Sequence, residues 1–228
     1  MFGILMMEHD RRYDMAEEWL DVIKLMWISE GEFDFEGKFY KVDKGFMEPK
    51  PIQRPFPPIM NAGGSDRGRH FTAKNCDVAF VLFNPEDPVQ AKELISKYKK
   101  LAREEYGREI QVWAASYVVQ GQTEKEARDF YRYYVHEKGD WQAATNLVDT
   151  MGLTTGILNP DALKAMKEHF IAGWGVSADR HPEQIVDSFS VLIDIGLDGT
   201  LLSWAQYEAG MRAFQKDVLP LMKQGGLR

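Results

Sequence analysis

The feature that most constrains this chain is an alternation: an apolar, strand-like run followed by a helical pattern, four times over. Pro58–Ala62 is followed by a helix over Asp66–Asn75, and Val78–Phe83 by a helix from about Glu86 to Tyr106. Gln111–Val119 precedes a helix opened by Thr123, with Glu126 three residues on as in a capping box, and Thr200–Trp204 precedes a closing helix over Tyr207–Lys223. Strands that are apolar along their length are covered on both faces, so the pattern predicts an α/β fold with a parallel sheet and helices packed on it. Such units build either an open doubly wound sheet or a closed eight-stranded barrel. A barrel needs eight units in about 250 residues. With four present, the chain is expected to be either an open sheet or part of a barrel.

The flanking segments fit that frame. From Asp10 to Ile28 the apolar residues Tyr13, Ala16, Leu20, Ile23 and Trp27 recur at helical spacing, with Asp14, Glu17, Glu18 and Asp21 on the early turns and Gly31 beyond the end. Glu32–Met47 suggests short strands around a turn at Glu36-Gly37. The five prolines from Pro49 to Pro58 impose an extended connection. Between the third and fourth strands, roughly Trp141 to Asp194, lies an insertion expected to be helical and broken at Gly156, Pro160 and a Gly173–Gly175 turn. Insertions of this kind often cover the mouth of a barrel site.

Bulk properties narrow the function classes. A formal charge of -7 with no basic stripe argues against a nucleic-acid partner, and the basic run Lys97–Arg103 fits the solvated face of an amphipathic helix. The single cysteine, Cys76, excludes an internal disulfide and is expected to be a small packing residue. No uncharged run approaches the roughly 18 residues needed to span a bilayer, so no membrane partner is expected and the address expected is the cytoplasm. His9, His70, His136, His169 and His181 are scattered without metal-ligand spacing, and no metal site is expected. The aromatic cluster Phe130-Tyr131-x-Tyr133-Tyr134 lies at helical spacing and is expected in core and interface.

Two local features could carry chemistry. In Ile59-Met60-Asn61-Ala62-Gly63-Gly64-Ser65-Asp66-Arg67-Gly68 a strand ends in two glycines, and Ser65 and Asp66 stand where a helix begins. Glycines permit close backbone approach to a ligand, and a helix start offers unpaired N–H groups and a positive dipole end that suit a phosphate. The same residues also make an ordinary strand-to-helix turn with Ser or Asp as N-cap. The dinucleotide fingerprint is absent. The second feature is Arg11-Arg12-Tyr13 at the start of the first helix, where cations oppose the dipole and an Arg–phenol pair could clamp a phosphate.

Taken in order, these pieces resemble the luciferase-like flavin-dependent monooxygenases, in the branch of pyrimidine and alkanesulfonate monooxygenases. The resemblance rests on His9-Asp10-Arg11-Arg12-Tyr13 with Glu18-Trp19, Phe35-Glu36-Gly37-x-Phe39-Tyr40, Pro49-Lys50-Pro51, Pro57-Pro58-Ile59, Ala62-Gly63-Gly64-Ser65 with Gly68, and Asp77-Val78-Ala79-Phe80. It continues through Gly196-Leu197-Asp198-Gly199-Thr200-Leu201-Leu202 and Val218-Leu219-Pro220-Leu221-Met222. It implies a partial TIM (β/α)8 barrel over residues 1–228, holding about the last four units and lacking the N-terminal strands. It further implies FMN, reduced by a partner flavin reductase, as cofactor, with O2 and a small-molecule substrate to be oxidised. Arg12, Tyr13, Gly63, Gly64 and Ser65 inherit the cofactor-binding role, and no catalytic acid or base is assigned. A half-barrel would leave sheet edges uncovered, so association with another chain, as in a homo-oligomer, is expected. The rival expectations are a deazaflavin-dependent oxidoreductase of the same superfamily and a non-catalytic fragment or subunit.

Overall fold

The computed structural model describes residues 7–84, 87–151, 159–173 and 176–227. The chain divides into two compact units, one of residues up to Val81 with Lys97–Val112, the other of Leu82–Ser96 with residues from Trp113 onward.

The first unit opens with α1 (His9–Ile28), one residue longer at its start than the apolar period alone indicates. The Glu8 carboxylate caps it, accepting the N–H groups of Asp10 and Arg11 at 3.0 and 2.9 Å. This offsets the unfavourable arginines of the first turn. Strands β1 (Phe33–Glu36) and β2 (Lys41–Gly45) form the expected antiparallel hairpin. Its turn is held by Glu18 of α1, whose carboxylate accepts from the N–H groups of Lys38, Phe39 and Tyr40 at 2.9, 2.7 and 2.6 Å. Desolvation works against the charge there, but the donors of Tyr40, Phe39 and Lys38 outweigh it and hold the carboxyl below its ordinary range.

Beyond the prolines, β3 (Met60–Asn61) pairs in parallel with β4 (Val78–Phe80), and α2 (Asp66–Asn75) connects them. β3 is shorter than the apolar run because Pro57 and Pro58 have no N–H for a ladder. The N–H of Ile59 goes instead to the Asp77 carboxylate at 2.8 Å. The carbonyl of Asp77 accepts from Gln111 N–H at 2.9 Å, where β5 (Gln111–Gln120) begins. Arg108 donates to the carbonyls of Ala73 and Cys76 and closes the far end of α2. Leu20, Phe71 and Cys76 form the core between α1 and α2, with Tyr13, Ala16 and Ile59 against it. Helix α3 (Pro88–Tyr106) passes from one unit to the other, and the basic residues of its last turns alternate with the buried Tyr98 and Ala102.

In the second unit β5 alternates inward at Ala114, Ser116 and Val118. The buried Ser116 hydroxyl is satisfied by Thr200 at 2.7 Å. Parallel strands β6 (Val176–Arg180) and β7 (Gly199–Ser203) both pair with Ser116 and Tyr117, and so occupy opposite edges of β5. Strand β6 corrects the expectation of a purely helical insertion. Its sequence, Val176-Ser177-Ala178-Asp179-Arg180, is too polar to signal a buried strand, and backbone pairing with β5 creates it. The rest of the insertion is helical: α5 (Trp141–Thr150), α6 (Pro160–Ala172), which ends at Gly173, and α7 (Pro182–Asp194). The expected break at Gly156 lies outside the described residues, as does Gly175.

Helix α4 (Glu124–Tyr131) is capped by Thr123, whose hydroxyl accepts from Glu126 N–H at 3.2 Å; the Glu126 carboxylate reaches Gln122 N–H instead of Thr123 N–H. It runs on into a π-helical stretch, Arg132–Glu137. The closing helix is likewise interrupted: α8 (Tyr207–Ala213), a π-helical stretch Phe214–Val218, then α9 (Leu219–Gln224). Tyr134 packs among the rings of Tyr117, Phe130 and Tyr131, whereas Tyr133 is half exposed. Among the described residues no pairing closes the strands into a ring, and no helix is long and apolar enough to cross a membrane.

Candidate functional site

The turn between β3 and α2 is held from four sides. Asn61, the last residue of β3, turns its Oδ1 back to accept Gly63 N–H at 2.8 Å. The Thr72 hydroxyl lies 2.9 Å from both that oxygen and the Gly68 carbonyl. Tyr98 of α3 donates its hydroxyl to the Gly63 carbonyl at 2.9 Å. Arg69 donates one guanidinium nitrogen to the Gly64 carbonyl at 2.7 Å and another to Asp66 at 2.9 Å. Ser65 is the N-cap of α2, its Oγ accepting Gly68 N–H at 3.0 Å. The serine's own proton is left available to a ligand.

Tyr13 of α1 reaches this turn through its hydroxyl. A Cβ on Gly63 would stand 2.7 Å from the Tyr13 Oη, and one on Gly68 only 2.5 Å from it. Glycine at both positions is therefore what admits the phenol. Gly64 differs: a Cβ there would meet nothing within 4 Å, so the turn is open on that side. Among the described residues the N–H groups of Gly64, Ser65, Asp66 and Arg67 find no acceptor. Unpaired amides, a free hydroxyl proton and a helix start together form a cradle that an anion such as a phosphate fits.

The surrounding charges are already committed in part. Arg67 stacks over the Tyr13 ring at 5.9 Å and pairs with Asp14 and Glu17 of α1 at 3.0 and 3.1 Å. Lys74 adds a second cation to Glu17 at 3.0 Å. Burial opposes ionisation of Glu17, but Lys74 and Arg67 outweigh it and lower its pKa. Burial raises the Tyr98 phenol above its ordinary value, with Arg69 pulling the other way and Tyr13 adding to the rise, so it remains a donor at neutral pH. Arg12 is exposed, and its guanidinium has no hydrogen bond or ion pair among the described residues. Arg11 turns aside to the Phe39 ring of the hairpin, at 5.9 Å.

Of the five residues singled out from sequence, the structure thus brings Tyr13, Gly63 and Ser65 together around Gly68 and leaves Gly64 open, whereas Arg12, next to Tyr13 in sequence, is exposed and makes no contact with the turn among the described residues. Tyr98, Arg69 and Thr72 join the site with no local sequence signal to mark them. Tyr98 lies inside the basic run that suggested only a solvated face, yet it is 3% exposed. Cys76 is buried, and desolvation pushes its thiol up to about 11, which suits packing and not reactivity. Among the described residues no group of three His, Cys, Asp or Glu could hold a metal ion. A cavity of about 430 Å³ elsewhere in the first unit is lined by Trp27, Ile28, Glu48, Lys50, Arg54 and Pro55, and none of the five residues borders it.

Comparison with known proteins places the chain in a family. Residues 1–199 match a protein family described as luciferase-like monooxygenase. The chain is 26% identical over 225 residues to an FMNH(2)-dependent dimethylsulfone monooxygenase of Pseudomonas putida, covering 96% of this chain and 60% of that one. It is also 26% identical over 231 residues to the pyrimidine monooxygenase RutA of Allorhizobium ampelinum, covering 93% of this chain and 59% of the relative. Among solved structures it is similar in fold to DmoA from Hyphomicrobium sulfonivorans, with a TM-score of 0.78 at 23% identity, over 98% of this chain and 57% of that one. The chain therefore spans about 60% of the length of the relatives it matches.

Proposed function

The chain belongs to the luciferase-like monooxygenase family, and from that premise we propose that it is the cofactor-phosphate-holding part of an FMN-dependent monooxygenase that works with a separate flavin reductase on a small organic substrate. The observation that carries this reading is the cradle at the start of α2, where the N–H groups of Gly64, Ser65, Asp66 and Arg67 lack acceptors among the described residues and the Tyr13 hydroxyl lies against Gly63 and Gly68. Reduced FMN supplies the two electrons with which O2 places one oxygen atom in the substrate and releases the other as water.

The residues of this chain hold and orient. Ser65 donates its hydroxyl proton to a phosphate oxygen while its Oγ continues to cap α2. Tyr13 presents its hydroxyl across the glycines, and Arg12 supplies the positive charge that no acidic neighbour has claimed among the described residues. Arg67 is held back by Asp14 and Glu17, so it shapes the rim and does not neutralise the ligand.

Ser65→Asp separates capping from ligand binding, because aspartate caps helices as well as serine does but sets a carboxylate against the phosphate. In fluorescence titrations this variant should bind FMN on the order of a hundredfold more weakly, with its denaturation midpoint almost unchanged. FMN affinity within twofold of the parent would overturn the assignment. Tighter binding of a deazaflavin cofactor than of FMN would move the chain to hydride chemistry.

A further inference from the structure

Two side chains outside the proposed phosphate cradle hold the carbonyls of its two glycines. Tyr98 is buried, 3% exposed, and its hydroxyl donates to the Gly63 carbonyl at 2.9 Å. Arg69 donates to the Gly64 carbonyl at 2.7 Å while Asp66 holds the other arm of its fork at 2.9 Å. A trans peptide is planar, with C=O and N–H on opposite sides. Fixing the Gly63 carbonyl therefore fixes the Gly64 N–H in the reverse direction, and fixing the Gly64 carbonyl does the same for Ser65 N–H. These are two of the amides without an acceptor among the described residues.

The choice of residue on α3 also bears on this. The buried face of the helix is otherwise apolar, with Ala91, Ile95 and Ala102 beside Tyr98. A phenylalanine would fill the same volume without a hydroxyl to satisfy. The hydroxyl contributes one bond, and that bond goes to the turn.

Resting on the FMN reading of the turn, we infer that Tyr98 and Arg69 are positioning residues that aim the Gly64 and Ser65 amides at the ligand phosphate, and thereby set the preference for a phosphorylated flavin over its unphosphorylated form. Neither side chain needs to touch the ligand. Their effect is on the orientation of groups that do.

The test is a pair of fluorescence titrations, with FMN and with riboflavin, on the full 228-residue chain and on Tyr98→Phe, Arg69→Gln and Arg69→Lys. Tyr98→Phe should weaken FMN binding about fivefold to tenfold, the effect of one lost hydrogen bond, and leave riboflavin within twofold. Arg69→Gln should act in the same direction. Arg69→Lys should recover part of the preference, since an ammonium can donate to the carbonyl but lacks the rigid planar fork that Asp66 holds in place. Equal losses for both flavins would reduce the two residues to packing and overturn the inference. So would an unchanged FMN to riboflavin ratio in every variant. If the parent chain itself fails to prefer FMN, the reading of the turn falls and the inference with it; if the parent prefers FMN and the variants keep that preference, the inference alone falls. Should Tyr98→Phe not fold, the Arg69 pair decides by the same ratio.

Discussion

Two strand-to-helix junctions in this molecule, one in each unit, are built from similar parts to opposite effect. After β3 the chain turns through Gly63 and Gly64 into α2, which Ser65 caps, and four amides are left without acceptors among the described residues. After β7 the chain turns through Trp204 into α8, where Gln206 stands at the cap position with no side-chain hydrogen bond to the helix. A glycine is central to both. At Gly68 the missing Cβ makes room for the Tyr13 hydroxyl and the backbone of Gly63; at Gly210 it makes room for the Trp204 ring, only 2.4 Å from where a Cβ would stand. The indole packs edge-on against Tyr207 and Phe214. Its buried N–H has no acceptor among the described residues. Barrels commonly hold phosphate after their last strands. Here the Trp204 ring packs against Gly210 of α8, whereas the Gly64 side of the earlier turn is open, and it is to the earlier turn that we assign the phosphate.

The largest expected effect is at Gly68. An exposed helical Gly→Ala change ordinarily gains up to about 1 kcal/mol, but here the new Cβ would lie 2.9 Å from Gly63 backbone as well as 2.5 Å from Tyr13. Backbone cannot move aside as a side-chain tip can. Gly68→Ala should therefore lose stability, by roughly 1–3 kcal/mol in urea denaturation, whereas Gly64→Ala, with open space around it, should stay within about 0.5 kcal/mol. A stabilised Gly68→Ala would mean that the close approach of Tyr13 and Gly63 does not hold the turn.

The caps give the next contrast. Ser65→Ala removes the oxygen that accepts Gly68 N–H and should cost about 1 kcal/mol, together with weaker FMN binding. At the other junction Gln206→Asp supplies a cap that α8 lacks and should gain a few tenths of a kcal/mol, up to about 1. Both are read from denaturation midpoints. If Ser65→Ala cost nothing while Gln206→Asp gained nothing, capping would not distinguish the two helix starts.

These contrasts follow the line between what local sequence encodes and what only the folded chain creates. Ser65-Asp66 after two glycines marks the start of α2 to the residue, because N-cap chemistry acts over three residues. The alternation of apolar runs and helical patterns likewise gave the parallel sheet. Strand β6 escaped because its pairing with β5, not its side-chain pattern, defines it. β3 is shorter than its apolar run because the prolines at its start lack donors that an apolar count ignores. Within the candidate site, Tyr13 and Ser65 were legible as residue types suited to an anion. Tyr98 and Arg69 were not, since the Tyr98 bond spans 35 residues of sequence and Arg69 on a helix face looks like any solvated arginine. Nor could spacing tell that Arg11 would turn to Phe39 and leave Arg12 uncommitted.

The smallest expected effect is in the pH dependence of the first of these junctions. That junction is tied to α1 by ion pairs, Glu17 accepting from Arg67 and Lys74. Glu17 has a folded pKa below its unfolded one, because its two cations outweigh the opposing effect of burial. A depressed carboxylate stabilises the fold fully above its unfolded pKa and loses that contribution as pH falls through the folded value. The loss should therefore develop below about pH 4. Its size should stay under about 1 kcal/mol, because solvent screens a pair that is partly exposed. Glu17→Gln should flatten the decline of stability between about pH 5 and about pH 3. An identical slope in the parent and Glu17→Gln would show that the Glu17 charge adds nothing to the α1–α2 tie, which then rests on the Arg67–Asp14 pair and the apolar contacts of Leu20 and Phe71.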